Sequence, residues 1–256
     1  MREFKIRASA AYALATRPQG GTNIEKYEKS ITNLENLKAR YESFKNKKCK
    51  SAIEILRYKM PNAEKEIKEL ELIKDVPVFS ETTKSYVNDW YKEQVYGIKK
   101  DFYAKQTEKG LMLEDEAIDK SIDWLDLPFA VKNDEYFEDE YFTGTPDIIL
   151  NDEIIDTKCS WDAFTFPLLE DELPNKNYFY QMQVYMHLTG KRKARVVYML
   201  LNTPEKLAKY ETVYNYDHVS KEKRIRAFSV EYDPEVIEYL KEQVKAIRNH
   251  LNTFKK

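Results

Sequence analysis

The amino-acid sequence predicts an α/β fold, a small mixed sheet flanked by helices, and three features carry that prediction. Residues 144 to 158, Gly-Thr-Pro-Asp-Ile-Ile-Leu-Asn-Asp-Glu-Ile-Ile-Asp-Thr-Lys, read as a β-hairpin. Asn151-Asp152 is turn chemistry between the apolar runs Ile148-Ile149-Leu150 and Ile154-Ile155. Ala194 to Leu201, apolar apart from Arg195, is a run that suits a strand buried on both faces. Around these, apolar residues recur at helical spacing, so the order is helices, short strands, a helix, strands and a closing helix.

At the N-terminus, Lys5 to Pro18 alternates and then turns to small residues, a short helix that Pro18 and Gly20-Gly21 terminate, with Ser9 as its N-cap. Such an end beside Arg7 can hold a phosphate, although a capped helix with a solvated arginine fits these residues equally well. From Asn23 to about Lys74 the chain is charge-rich and reads as a helical arm. Ile24, Tyr27, Ile31, Leu34, Leu37, Tyr41 and Phe44 form one apolar seam. A basic run, Lys45 to Lys50, precedes a second helix through Ile53, Leu56 and Met60; Pro61 is expected to interrupt it, and Ala63, Ile67, Leu70 and Ile73 form a third. The arm reads as a solvated elaboration, or as a grip on DNA or a partner.

Ser80 caps the next helix, with Val87, Trp90 and Val95 facing inward and Gly97 ending it. A further helix, from about Gly110 to Leu125, carries the stripe Leu111, Ile118, Ile122 and Leu125. Glu114 lies on that stripe while Asp115 and Glu116 face away. A carboxylate there needs a partner, a raised pKa or a metal, and a salt bridge at the stripe's edge would satisfy it. Asp134 to Glu140 reads as a solvated acidic turn, and Ser160 to Pro174 as a loop at the mouth of any site on the hairpin. Asn177 to Thr189 is a helix ended by Gly190, with Gln181 and Tyr185 one turn apart on the face of Tyr178 and Leu188. Phe228 to Tyr232 is the last strand. Asp233-Pro234-Glu235 caps a closing helix with the stripe Val236, Leu240, Val244, Ile247 and Leu251.

Composition bounds the function classes. The 42 basic and 44 acidic side chains leave a net charge of -2, so nucleic-acid binding must come from local patches rather than from the whole molecule. Two cysteines, Cys49 and Cys159, are too few for a disulfide framework, a four-cysteine cluster or a structural zinc knot. No apolar run reaches membrane length and no signal-peptide pattern follows Met1, so a reducing cytoplasm and no membrane contact are the expectation.

The hairpin carries the chemistry. A two-residue turn sets Ile149 against Ile154, Ile148 against Ile155 and Asp147 against Asp156, with opposed Cβ atoms roughly 4.5 to 5.5 Å apart. Like charges so placed are destabilising. The two-residue period of a strand puts Lys158 on the face of Asp156, with Thr157 and Cys159 on the other. A surface salt bridge accounts for the triplet alone; two carboxylate oxygen sets are also what a magnesium ion takes from a protein.

Pro146-Asp147 followed by Asp156-Thr157-Lys158 resembles the signature of the PD-(D/E)xK nuclease superfamily. Lys109-Gly110-x-x-x-Glu114 before it and Gln181-x-x-x-Tyr185 after it resemble, in order, the motif set of the phage lambda exonuclease, YqaJ and RecB-type nuclease family. Arg7-Ala8-Ser9 and Arg17-Pro18 resemble that family's DNA-contacting opening segment. Aspartate at 156 stands where many members have glutamate. The absent cysteine cluster argues against the iron–sulfur branch, and the arm has no counterpart in the lambda enzyme.

The resemblance implies a restriction-endonuclease-like core at 1–22 and 75–256 with a helical arm inserted at 23–74. It implies Glu114, Asp147 and Asp156 as metal-ligand carboxylates together with the Thr157 carbonyl, and Lys158 as the group that orients or deprotonates the attacking water. Gln181 and Tyr185 would position the strand or the water, and Arg7, Ser9 and Arg17 would contact DNA. One or two Mg²⁺ ions are implied, with Mn²⁺ as a substitute, and duplex DNA ends as substrate. A single-strand annealing protein and a second copy of the chain are the implied partners, in the cytoplasm of a bacterium or phage-infected host. The leading expectation is a DNA exonuclease; an endonuclease or structure-specific nuclease on the same fold, a silent DNA-binding module and, remotely, a structural Ca²⁺ binder are the alternatives.

Overall fold

The computed structural model describes residues 2–100, 105–207 and 214–255. The chain divides into two compact units, Met1–Ala15 with Val87–Lys256, and Thr16–Tyr86.

The first unit opens with strand β1 (Ile6–Arg7), a 3-10 turn at Ala8–Ala10 and the short helix α1 (Tyr12–Ala15). Ser9 is not an N-cap. It lies inside the 3-10 turn, and the cap position falls on Arg7, whose side chain makes no cap hydrogen bond. Burial explains the shift: Ala8 and Ala10 turn into the core, which leaves Ser9 exposed between them.

In the unit Thr16–Tyr86, Thr22 begins helix α2 (Asn23–Asn46) with a reciprocal capping box to Glu25. Helix α3 (Lys50–Glu71) runs through Pro61 without a break, contrary to the expected interruption. The proline removes one backbone donor, but packing holds the helix on either side of it. Leu56, Met60 and Ala63 pack with Leu34, Leu37, Tyr41 and Phe44 of α2. Helix α4 (Glu81–Tyr96) is capped by Ser80, whose Oγ accepts from Thr83 N at 3.0 Å, and stops at Gly97 with φ +68°. Val87 is buried, whereas Val95, expected inward, is exposed.

The pattern from Gly110 to Leu125 is two helices, α5 (Lys105–Met112) and α6 (Glu114–Trp124), broken at Leu113. The break resets the phase. Lys109 is buried and donates to the carbonyls of Trp161 (2.7 Å) and Leu201 (3.3 Å), so positions 109, 113 and 117 face inward and Leu111 is left exposed. Leu113, Ala117 and Ile118 then pack on Ile148, Ile155, Val197 and Met199 of the sheet.

Two sheets follow. Strands β2 (Phe137–Glu138) and β3 (Phe142–Gly144) join β1 in the order β1-β3-β2, so part of the expected acidic turn is strand. Strands β4 (Ile148–Ile149), β5 (Glu153–Cys159), β6 (Lys193–Met199) and β7 (Ile225–Glu231) form the larger sheet in sequence order. Within this sheet β5 and β6 run parallel while the β4–β5 and β6–β7 pairs are antiparallel, and helix α7 (Lys176–Thr189) makes the crossover from β5 to β6. Helix α8 (Pro234–Asn252) closes the chain, capped by Asp233, with Ile237 rather than Val236 starting its buried stripe. Among the described residues no helix is long and apolar enough to cross a membrane.

Candidate active site

The hairpin has the register that its turn dictates: Ile148 pairs with Ile155, Ile149 with Ile154, and Leu150 N donates to Glu153 O at 2.9 Å. Continued by one residue, this register sets Asp147 against Asp156. Continued by two, it sets Pro146 against Thr157. Proline has no N–H, so the Thr157 carbonyl has no ladder donor on that side. The Thr157 N–H instead donates to Asp147 Oδ2 (2.6 Å), as does the Thr157 hydroxyl (2.8 Å), and Asn133 Nδ2 takes the Pro146 carbonyl at 2.9 Å. Asp147 is thereby oriented by the backbone it faces.

Asp156 is 1% exposed. Its Oδ1 accepts from Gln181 Nε2 at 3.3 Å, and its Oδ2 lies 2.5 Å from Lys158 Nζ. That contact is a short, charge-assisted ion pair, so both oxygens of Asp156 are held from within the protein, one by Gln181 and one by Lys158. Burial pushes the Asp156 pKa up to about 7; the Lys158 ammonium opposes this, while Asp147 and, less strongly, Glu114 add to it. For Lys158 burial works downward, but Asp156 and Asp147 outweigh it and raise its pKa. The pair therefore holds its protons to higher pH than the separate groups would.

Helix α7 supplies the roof. Its N-cap Asn175 accepts from Asn177 N, Gly190 ends it in the left-handed region, and the spacing of four turns Gln181 and Tyr185 to one side. Gln181 Nε2 bonds Tyr185 Oη at 3.1 Å as well as Asp156. Burial raises the Tyr185 pKa, so its hydroxyl stays protonated. Gly144 makes room for the ring: a Cβ there would stand 2.6 Å from Tyr185 Cε1. Tyr178, one turn earlier, lies under the Lys158 ammonium at 4.8 Å from its ring centroid.

Asp147, Asp156, Lys158, Gln181 and Tyr185 are thus one connected cluster. Glu114 stands apart from it. As the first residue of α6 it is half exposed and shares Lys132 with Asp115, at 3.1 and 2.7 Å. Among the described residues no three metal-ligating side chains are gathered in one group. The residues nevertheless suit a hard divalent cation in their donor chemistry: two facing carboxylates, one of them buried, beside a carbonyl without a ladder partner. Arg7 and Ser9 are exposed near the start of the first unit, and Arg17 is exposed in the unit Thr16–Tyr86. Sequence reasoning missed Lys132, which lies on no motif, and the Thr157 hydroxyl, whose partner only the proline-broken ladder reveals.

No family model matches the chain, and no curated protein matches it in sequence. Among solved structures it is similar to the phage-related exonuclease from Haemophilus somnus 129PT, with a TM-score of 0.70 and 24% identity over 100% of this chain and 98% of that one. The chain has the fold of these exonucleases. It is also similar to the alkaline exonuclease LHK-Exo from Laribacter hongkongensis, with a TM-score of 0.52 and 18% identity over 71% of this chain and 85% of that one. The same enzyme in complex with dAMP gives 0.52 and 17% over 68% and 82%. The restriction-endonuclease-like architecture expected from the motifs is the one observed. Full coverage of the chain by the Haemophilus exonuclease fold takes in the helices of residues 16–86 as well.

Proposed function

We propose that the chain is a divalent-metal-dependent deoxyribonuclease that shortens duplex DNA from its ends. The observation that carries this is Asp156, a buried carboxylate that faces a second carboxylate, Asp147, across the hairpin and pairs with Lys158 along the strand. A phosphodiester is anionic, so bare carboxylates would repel it, and a structural role gains nothing from setting two of them together. Asp147, Asp156 and the Thr157 carbonyl would hold one Mg²⁺, and Glu114, once released by Lys132, would complete a second position. Bound there, the metal supplies charge neutralisation and a water of lowered pKa.

The chain's own groups do the rest. Lys158, kept charged by its carboxylate neighbours, is a donor that orients the attacking water or a phosphate oxygen rather than a base. Gln181 fixes the plane of Asp156, and Tyr185, accepting from Gln181, retains its O–H to donate to the strand. Arg7, Ser9 and Arg17 would contact DNA phosphates. The resemblance also puts forward a homo-oligomer and a single-strand annealing partner, which sedimentation of the chain alone and with such a protein would test.

End-labelled linear duplexes and a closed circle, incubated with Mg²⁺ and with EDTA, test the proposal. Progressive shortening of the linear DNA in Mg²⁺, with the circle intact and EDTA silent, is expected. Loss of the circle at the same rate would make the protein an endonuclease on this fold. DNA unchanged in both Mg²⁺ and Mn²⁺ would leave a binding module.

A further inference from the structure

The row of side chains that begins at Lys158 extends further across the sheet than hydrolysis requires. Lys158 on β5 is paired with Tyr198 on β6, and Tyr198 with Arg226 on β7. Residues opposed on adjacent strands share a face, so all three project toward α7. Aromatic rings connect them. Lys158 lies over Tyr178, Tyr178 meets Tyr198 edge to face at 6.1 Å, Tyr198 meets Phe228 at 5.8 Å, and the Arg226 guanidinium is 5.6 Å from the Phe228 ring centroid. The strip has a cation at each end.

Arg226 is the incompletely satisfied end. It donates through Nη2 to the carbonyl of Glu170, a neutral acceptor in the loop after β5, and its buried Nε has no partner. Two other buried or partly buried arginines of this unit are balanced by acids: Arg248 lies 3.0 Å from Glu3 and 3.5 Å from Glu140, and Arg224 lies 3.7 Å from Asp217. Arg226 has no such carboxylate among the described residues. A guanidinium offers five donors in a planar fork that matches phosphate oxygens, and an unpaired buried donor is a standing penalty that an anion would remove.

We infer that Arg226 binds a phosphate group of the same nucleic-acid strand whose neighbouring phosphodiester lies at Asp156 and Lys158, an inference that rests on the nuclease reading. Arg226 stands two strands from Lys158, roughly 10 Å at the usual strand spacing, with the buried Tyr198 between them. The phosphate has two possible sources, an internal diester or the terminal monoester of the strand.

The test uses the full chain with Arg226→Ala and Arg226→Lys. Cleavage of linear duplexes with and without a 5′-phosphate is measured in Mg²⁺, and equilibrium binding of a fluorescent duplex in Ca²⁺, each across a salt series. Arg226→Ala should raise KM and Kd about 10- to 100-fold and lower the slope of log affinity against log salt by about one. Arg226→Lys should restore the slope. A loss confined to phosphorylated ends assigns the terminal monoester, and an equal loss on both ends assigns an internal diester. An unchanged salt slope in Arg226→Ala, whatever its melting temperature, overturns the subsite and leaves Arg226 as a pin for the loop. A wild-type protein that cleaves nothing but shows the Arg226-dependent slope would sink the nuclease reading and spare the phosphate subsite.

Discussion

The hairpin and the start of α6 both present carboxylates beside a lysine, and they differ in what fixes them. At the hairpin, Asp156 is buried and the partly buried Lys158 pairs with it along one strand, Asp147 is held by the Thr157 N–H and hydroxyl, and Gln181 closes the cluster from above. At α6, Glu114, Asp115 and Lys132 form an ion-pair group that water reaches from several sides. Buried charges can be neither screened nor released without consequence, whereas exposed ones exchange partners at little cost. The hairpin is therefore a preorganised centre, and Glu114 is a group able to change partner.

The largest effect is expected from Lys158→Ala. Cleavage should fall about 10²- to 10³-fold, and removing the cation from a buried carboxylate should lower the stability of the metal-free protein by about 3 kcal/mol. Its pH dependence has a definite sign. An acid whose folded pKa is raised binds more protons folded than unfolded, so its contribution to stability falls as pH rises from about 4 toward 7. Without Lys158 that rise in pKa is greater still, so the melting deficit should be larger at pH 8 than at pH 5. A deficit independent of pH would show that Asp156 does not titrate in this range.

Asp147→Asn separates catalysis from folding within the same cluster. Its amide oxygen can still accept both Thr157 donors, and repulsion with Asp156 is relieved. Cleavage should be lost while melting of the metal-free protein stays level or rises. A sharp fall in melting temperature would instead make Asp147 a structural acceptor. Gly144→Ala should destabilise by about 1 to 3 kcal/mol through contact with the Tyr185 ring, and calorimetry would show it; a neutral result would mean that the ring can move freely. The smallest effect belongs to the exposed group. Lys132→Ala should change stability by no more than about 1 kcal/mol, while freeing Glu114 and lowering the divalent-ion concentration needed for activity. Loss of folding on that substitution would erase the contrast between the two regions.

What could be read in advance divides along the same line. Strand chemistry has a period of two and a turn that sets register, so the pairing of Ile148 with Ile155 and the shared face of Asp156 and Lys158 followed from fifteen residues. Gln181 and Tyr185 followed from a helix whose start and stop are both marked. Helix phase was less secure. The break at Leu113 lies within good helix formers and is set by the tertiary bonds of Lys109, so the stripe through Leu111 was misplaced. Pro61 suggested an end that packing against α2 overrides. Lys132 could not be found, because its tie to Glu114 depends on the path of a loop rather than on spacing.

Manganese binding followed by electron paramagnetic resonance on the wild type, Asp147→Asn and Asp156→Asn is the most direct measurement. The wild type should bind one or two ions, and either substitution should weaken that binding at least about tenfold with the fold intact by circular dichroism. Equal manganese binding by all three proteins would place any metal elsewhere and contradict a hydrolytic centre at the hairpin.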